Sequence, residues 1–485
     1  MFKLKQNNTT VRTELVAGIT TFMAMAYILM VNAGMFSTLG GDALGASYYN
    51  AVYIATALSA VFGTLLIGLL SNLPLAQASG MGLNAFFVYS VCIGMGFTYA
   101  NALVMVLVDG IVFLLLTVTG LRRLIFDAIP KAVKAAIAPG IGLFIAFLGL
   151  QNSGIVVNSD STLVDLHSFN IIFGHTTWAE IMPLLITIAA LIAIGAMSKK
   201  KIKGAVFWGI IGGAVLYYAL GLLTIDGFYA SNVQSKLSLN IIQPFRDFFN
   251  ISFGSDFFSA FKEFGAQAFG KVFTEGFNFS EYIAANGVGS FAATFIASML
   301  AFCMVDMFDT LGTLYGACSA GNLLDKDGNV PNMNKAMFAD AAATCFGAVC
   351  GTSTVTTFVE SSAGIAEGGK TGLSSVFTAA MFFIAMFLAP IAALIPSCAT
   401  AASLIFVGIL MIGGVKEIDW SDASAAVPAF MTMAIMPFTY NISYGIAFGL
   451  ISYIFIKLFT GKIKDISLST WIIGILFAAM FFIAR

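Results

Sequence analysis

The chain is a succession of long apolar stretches separated by short polar ones. A membrane-spanning helix needs about 20 mainly apolar residues, within a range of roughly 17–25. Such stretches are predicted near 14–37, 50–71, 75–94, 99–119, 133–150, 179–197 and 204–223. A second group follows near 286–318, 335–350, 352–368, 373–395, 399–415, 424–440 and 442–460. The pattern predicts an all-α polytopic membrane protein of about 14 spans in two groups of seven. One more run, Leu468–Ala484, follows; it reads as a terminal span, an interfacial helix or part of one broken helix.

Two spans do not read as plain helices. One packs Pro74, Gln77, Ser79, Gly80, Gly82 and Asn84 into a single stretch. The other runs Gly351-Thr352-Ser353-Thr354-Val355-Thr356-Thr357-Phe358-Val359-Glu360-Ser361-Ser362. Its β-branched alternation over Thr354–Val359 predicts a short extended segment, with a half-helix beginning near Glu360–Ala363. Irregular backbone survives at membrane depth only where protein buries it or where it lines a cavity. Paired discontinuous segments are the sequence pointer to a transporter site. The competing reading is a Gly/Ser/Thr face for helix packing.

The two groups of spans share a marker. Ile129-Pro130 and Ile395-Pro396 precede Gly142 and Gly408 by the same interval, and apolar stretches follow both. An odd number of spans per group turns the second copy upside down, as in transporters built from inverted repeats. The organisation expected is a first seven-span repeat over 1–223, an extracellular loop over 224–285 and a second, inverted repeat over 286–485. In the loop, Phe257, Phe261, Phe264 and Ala268 recur at helical spacing with Lys262 and Glu263 between them. That predicts an amphipathic helix on the membrane or capping the outer face.

Composition agrees with a membrane protein. The chain is 59% hydrophobic and 10% charged, where soluble proteins are nearer a quarter charged. A net charge of −1 gives no reason to expect nucleic acid as a partner. The six cysteines lie in or beside apolar runs without a CxxC pair and read as small packing residues, so no metal and no cofactor are expected. Lys and Arg concentrate in alternate connections, including Arg122, Arg123, Lys199, Lys200, Lys201, Lys370 and Lys457. The other connections hold only Lys236, Arg246, Lys262 and Lys271, all in the long loop. This positive-inside pattern places the N-terminus in the cytoplasm of a multi-pass protein of the inner or plasma membrane.

Candidate chemistry rests on three acids. Asp306 and Asp309 lie in the apolar run Phe291–Leu314, and Glu360 lies in the second broken span, with no Lys or Arg in either. An acid at bilayer depth costs about 2.5–3.5 kcal/mol on the lenient insertion scale, and acids kept there mark an ion or substrate pathway. Asp306, Asp309 and Thr313 follow the spacing of one helix face. Carboxyl groups without basic partners suit proton coupling, and sodium is the other candidate ion. Glu360, set beside backbone N–H groups, suits a flat heterocycle that donates ring N–H; Phe358, and Phe86 from the opposite side, would stack on the ring. Asp340 reads as a helix-packing acid, and Asp109 has no assigned role.

One motif is a false lead. Gly364-Ile365-Ala366-Glu367-Gly368-Gly369-Lys370-Thr371 fits the phosphate-loop pattern GxxxxGK[ST]. That pattern binds nucleotides only between a strand and a helix of a soluble α/β domain. Here it joins two membrane segments and reads as a tight turn.

The residues also resemble those of a known family. The opening Glu14-Leu15-Val16-Ala17-Gly18-Ile19-Thr20-Thr21-Phe22-Met23-Ala24-Met25-Ala26-Tyr27-Ile28 carries the likeness, as does Gly80-Met81-Gly82-Leu83-Asn84-Ala85-Phe86-Phe87. So do Asp306-Met307-Phe308-Asp309-Thr310-Leu311-Gly312-Thr313 and the segment Gly351–Ser361. Together they resemble the nucleobase–cation symporters of the xanthine/uracil permease superfamily, in the adenine, guanine and hypoxanthine branch. The resemblance implies fourteen spans in two inverted repeats, with short strands and half-helices in spans 3 and 10. A core domain (spans 1–4 and 8–11) would hold the substrate and a gate domain (spans 5–7 and 12–14) would move against it.

The likeness implies that Asp306 and Glu360 bind the base, that Phe358 stacks on it and that Asn84 and Asp309 are further polar positions near the site. The expected substrate site is Asp306, Glu360, Phe358, Asn84, Phe86, Val359 and Ser361, with proton coupling at Asp309 and Asp306. The expectation is a secondary active importer of purine nucleobases, coupled to H+ (or Na+), and not an enzyme. Its partners are the base, the cation and the lipid bilayer, with a homodimer as candidate assembly. The alternative is an anion transporter or channel on the same inverted-repeat fold. Such a site favours a basic residue near the half-helix N-termini, where this chain has acids.

Overall fold

The apolar runs form helices, and the two irregular spans form strands. The computed structural model describes residues 2–119, 129–171, 174–202, 204–226, 228, 259–320, 323–325, 330–358, 360–392 and 394–483. The first run gives α1 (Val11–Met25) and α2 (Tyr27–Ser37), followed by the long α3 (Gly41–Ser71). Next come β1 (Gln77–Ser79) and α4 (Met81–Ala85), which continues as a π-helix over Phe86–Gly94. Then follow α5 (Tyr99–Thr119), α6 (Lys131–Asn152), a hairpin of β2 (Val156–Ser159) and β3 (Leu163–Leu166), α7 (Trp178–Lys199) and α8 (Ala205–Thr224).

After the long loop come α9 (Ser259–Gln267), α10 (Lys271–Thr274), α11 (Ser280–Ala320), α12 (Met333–Cys350) and β4 (Val355–Thr357). The chain closes with α13 (Ser361–Ala366), α14 (Gly372–Met386), α15 (Ala389–Ala392), α16 (Ser397–Met411), α17 (Ala423–Thr439), α18 (Ile442–Phe459) and α19 (Leu468–Ile483). Among the described residues, nine helical stretches are long and apolar enough to cross a membrane.

The helices pack in two groups. In one, α3 is the hub, lying against α2, α9, α12 and α14, with α5 behind α12 and α1 against α14. In the other, α6 packs on α16 and α17, α17 on α18, and α7 on α8 and α16. Small residues set the closest approaches. Pro130 and Pro396 stand immediately before α6 and α16, at their N-caps. Each helix then brings its marker glycine to the other. A Cβ built on Gly142 would lie 2.7 Å from the carbonyl oxygen of Gly408, and one on Gly408 would lie 2.4 Å from that of Gly142.

Three features differ from, or refine, the sequence reading. The connection between α6 and α7 is a β-hairpin, with Val156 opposite Leu166; its strands are short, β2 half-buried and β3 exposed, so no apolar alternation announced it. The helix expected at Phe257–Ala268 is α9, with Phe257 outside the described residues. It lies against α3, with Phe261 on Phe387 at 5.5 Å between ring centroids. The C-terminal run is one unbroken helix, α19, packed on α11 and α18, with Phe481 between Tyr444 and Phe448.

Candidate functional site

The site is built where the two broken spans meet. Gly351 ends α12 at a φ of +96°, a conformation that suits glycine. The β-branched residues that follow favour extended backbone. On the other side Asn72 ends α3 in the left-handed region, and the chain runs extended through β1. The strands pair antiparallel, with Gln77 opposite Thr357, Ala78 opposite Thr356 and Ser79 opposite Val355. Two flanking bonds extend the ladder: Phe358 N–H to Ala76 O and Gly80 N–H to Thr354 O, each 3.0 Å. All six strand residues are buried, as backbone at membrane depth must be.

Side chains alternate across a strand, so this two-stranded ribbon has two faces. On one, Gln77 Nε2 donates to Asp340 Oδ1 at 2.9 Å, and Thr357 Oγ1 donates to the same oxygen at 3.4 Å. Thr310 Oγ1 of α11 donates to Asp340 Oδ2 at 2.8 Å. One buried carboxylate thus ties both strands to α11 and α12. On the opposite face, Thr356 Oγ1 donates to Asp309 Oδ2 at 3.2 Å. Beyond Phe358, Glu360 stands at the N-cap of α13 and accepts a hydrogen bond of 2.7 Å from the Tyr27 hydroxyl. Asp309 acts electrostatically on both Glu360 and Tyr27.

Asp306 and Asp309 sit one turn apart but have different surroundings. Asp306 is fully buried and acts on Cys345 of α12. It lies one turn before Thr310, which also turns to α12. Asp309 and Glu360 both keep partial solvent access. Asp309 is thus within electrostatic reach of Glu360, while the family resemblance names Asp306 as its partner in the substrate site.

The other expected site residues divide by what they touch. Phe358 is nearly buried beside Glu360. Phe86 is fully buried, edge-on to Phe302 of α11 at 4.8 Å. Asn84 Oδ1 accepts from Ser353 Oγ at 2.5 Å and its Nδ2 donates to Ser79 O at 3.3 Å, so it stitches the two crossing segments together. Ser361 Oγ accepts from Ala76 N–H at 3.0 Å and secures the end of the ribbon. Val359 lies outside the described residues. Sequence reasoning missed Tyr27, which carries no charge, and Gln77, which drew notice only as a polar residue in a broken span.

The phosphate-loop look-alike is occupied by the chain itself. Glu14 accepts from Lys370 N–H at 3.1 Å and Ser374 N–H at 3.2 Å, and also from the Ser374 hydroxyl. A carboxylate on α1 thereby fills the helix N-terminus that an anion would need. A cavity of about 320 Å³ opens between α2 and α16, lined by Met30, Met35, Tyr49, Asn152, Ser397 and Thr400 among others. One lining residue, Met30, lies one turn along α2 from Tyr27.

Residues 12–448 match the Permease family. The chain is 35% identical to the guanine/hypoxanthine permease PbuO of Bacillus subtilis (strain 168), covering 100% of both chains. It is 33% identical to the adenine permease AdeP of Escherichia coli (strain K12), over 98% of this chain and 94% of that one. The transmembrane domain of the cyanobacterial bicarbonate transporter BicA has the same fold, with a TM-score of 0.55 at 15% identity over 90% of this chain and 97% of that one.

Proposed function

Since the chain belongs to the Permease family, we propose that it imports purine nucleobases (adenine, guanine or hypoxanthine) by proton symport with alternating access. It is a membrane transporter and not an enzyme. The observation that carries the reading is a pair of partly accessible acids, Asp309 bonded to Thr356 of the buried strand pair and Glu360 within its electrostatic reach. Glu360 would accept ring N–H groups of the base, held in place by Tyr27. Asp309, which accepts from the Thr356 hydroxyl, lies within electrostatic reach of Glu360, with Asp306 one turn behind on α11. Phe358 offers an aromatic face beside the carboxylate. A neutral base with several N–H donors is what two acids without a basic partner can bind and release. An anion meets repulsion there, which disfavours the bicarbonate-type reading that the fold alone would allow.

In this reading the chain forms fourteen spans in two inverted repeats, 1–223 and 286–485, with the loop 224–285 outside and the N-terminus in the cytoplasm of the inner or plasma membrane. The group around α3 is the core and the group around α6 and α16 is the gate. The mutual contact of Gly142 and Gly408, the two glycines that follow the shared Ile-Pro marker, supports the repeat. The cavity between α2 and α16 lies between the two groups and would be an access route.

The test is uptake of labelled hypoxanthine by cells expressing the full chain, with competition by each purine and by uracil, with and without a protonophore. Glu360→Ala is expected to abolish saturable uptake while the protein still reaches the membrane. Normal uptake by that variant would overturn the site, and uptake indifferent to the protonophore would overturn the coupling.

A further inference from the structure

The core group buries a second acidic centre, away from Glu360. Asp109 lies at the middle of α5 and is wholly inaccessible. Among the described residues neither of its carboxylate oxygens accepts a hydrogen bond from a nitrogen or oxygen donor. Beside it lie the Cys303 thiol, a weak donor, and the Asp340 carboxylate. The close approach of α5 to α12 comes from Gly110, where a Cβ would lie 2.6 Å from Cys345 Sγ.

Asp109 and Asp340 are neighbours with opposite provision. Asp340 receives three donors, from Gln77, Thr310 and Thr357. That set satisfies an ionised carboxylate. Asp109 has only a thiol and another acid. Two adjacent buried carboxyl groups do not both stay charged without a counter-ion, and Asp109, with no nitrogen or oxygen donor, is the one placed to take up a proton. The other titratable groups on the elements packed against α5 supply no positive charge to this point. α11 contributes Cys303, Asp306 and Asp309, α12 contributes Asp340, Cys345 and Cys350, with Lys335 exposed in its first turn, and the π-helix contributes Tyr89 and Cys92. Lys271, which opens α10, pairs with Glu275.

We infer that Asp109 is the binding site of a transported proton, separate from the substrate-facing acids and linked to them through Asp340. A proton arriving at Asp109 removes one of two neighbouring negative charges. Its loss restores their repulsion and bears on the carboxylate that holds β1, β4 and α11 together. The strand face presented to the substrate is thus tied to the proton occupancy of a group that never touches the substrate. The inference rests on the proton-symport reading above.

The experiment uses the full chain in cells or proteoliposomes. Accumulation of labelled hypoxanthine against an imposed pH gradient is compared with exchange of labelled for unlabelled base at equal pH. For one coupled proton the accumulation ratio changes about tenfold per pH unit. Asp109→Asn is expected to keep exchange and lose the gradient-driven accumulation. If the wild-type chain ignores the gradient, the symport reading fails, and this inference with it. If the wild type follows the gradient and Asp109→Asn follows it equally, this inference alone fails. Asp109→Glu covers a folding defect in the amide variant, because it keeps an acid at a changed position. It is expected to stay coupled with a displaced pH profile, and a profile coincident with the wild type would overturn the proposal.

Discussion

The Tyr27 hydroxyl donates to Glu360 Oε1 at 2.7 Å, joining two residues 333 positions apart in the chain. The first described span thereby holds the carboxylate of the second broken span. A hydrogen bond to a charged group contributes about 1.5–3 kcal/mol. Tyr27→Phe removes the donor and keeps the ring. The expected result is a purine Kd weakened by about tenfold or more, measured by direct binding to purified protein. An unchanged Kd would separate Tyr27 from the substrate site.

Asp340 is the anchor of the ribbon. Asp340→Asn replaces an acceptor for Gln77 Nε2 with a group that is half donor. About 2–3 kcal/mol of stability should be lost, seen as a lower melting temperature of the purified protein. The same loss should appear in Gln77→Ala, and the double variant should lose less than the sum, because the two residues share one bond. Strict additivity would show that the contact contributes nothing.

The crossing of α6 and α16 depends on the absence of side chains at Gly142 and Gly408. A methyl group at either position falls inside the other helix's carbonyl contact. Gly142→Ala and Gly408→Ala should each destabilise by about 1–3 kcal/mol. Gly142→Leu should not yield folded protein. Thermal unfolding checks the first pair and size-exclusion behaviour the second.

Glu14 holds the turn before α14 through two backbone N–H groups. Losing a helix N-terminal acceptor costs about 0.5–2 kcal/mol. Glu14→Ala should loosen the turn around the exposed Lys370. Trypsin should then cleave after Lys370 faster than in the wild type, with little change in far-UV circular dichroism. Equal cleavage rates would mean that the turn holds itself.

Much of this arrangement was legible in the residues. Pro74 and Gly80, and the β-branched run Thr354–Thr357, announce backbone that cannot stay helical. Acids without bases point to Glu360 and to the Asp306–Asp309 turn. What the pattern does not carry is rotation and partnership. Asp306 and Asp309 obey one helical spacing, yet 100° per residue leaves them about 60° apart, enough for one to turn to α12 and the other to Glu360. Gln77 and Thr357 are each ordinary polar residues until the fold brings them to Asp340. Asp340 reads as a helix-packing acid and does tie α12 to α11, but nothing in the pattern shows that it also holds both strands. The hairpin of β2 and β3 is short and has no buried face, so the residues carry no alternation to announce it.

The ribbon also has a consequence for how the protein is made. Gln77 and Thr357 are 280 residues apart. At about 5–20 residues per second, synthesis of the intervening chain takes on the order of tens of seconds. Throughout that time β1 has been delivered to the membrane with no strand to pair with, and each unmet backbone group in lipid costs several kcal/mol. The first half of the chain therefore cannot mature on its own. The substrate site can form only after residue 357 has been made, with α14 to α19 still to follow.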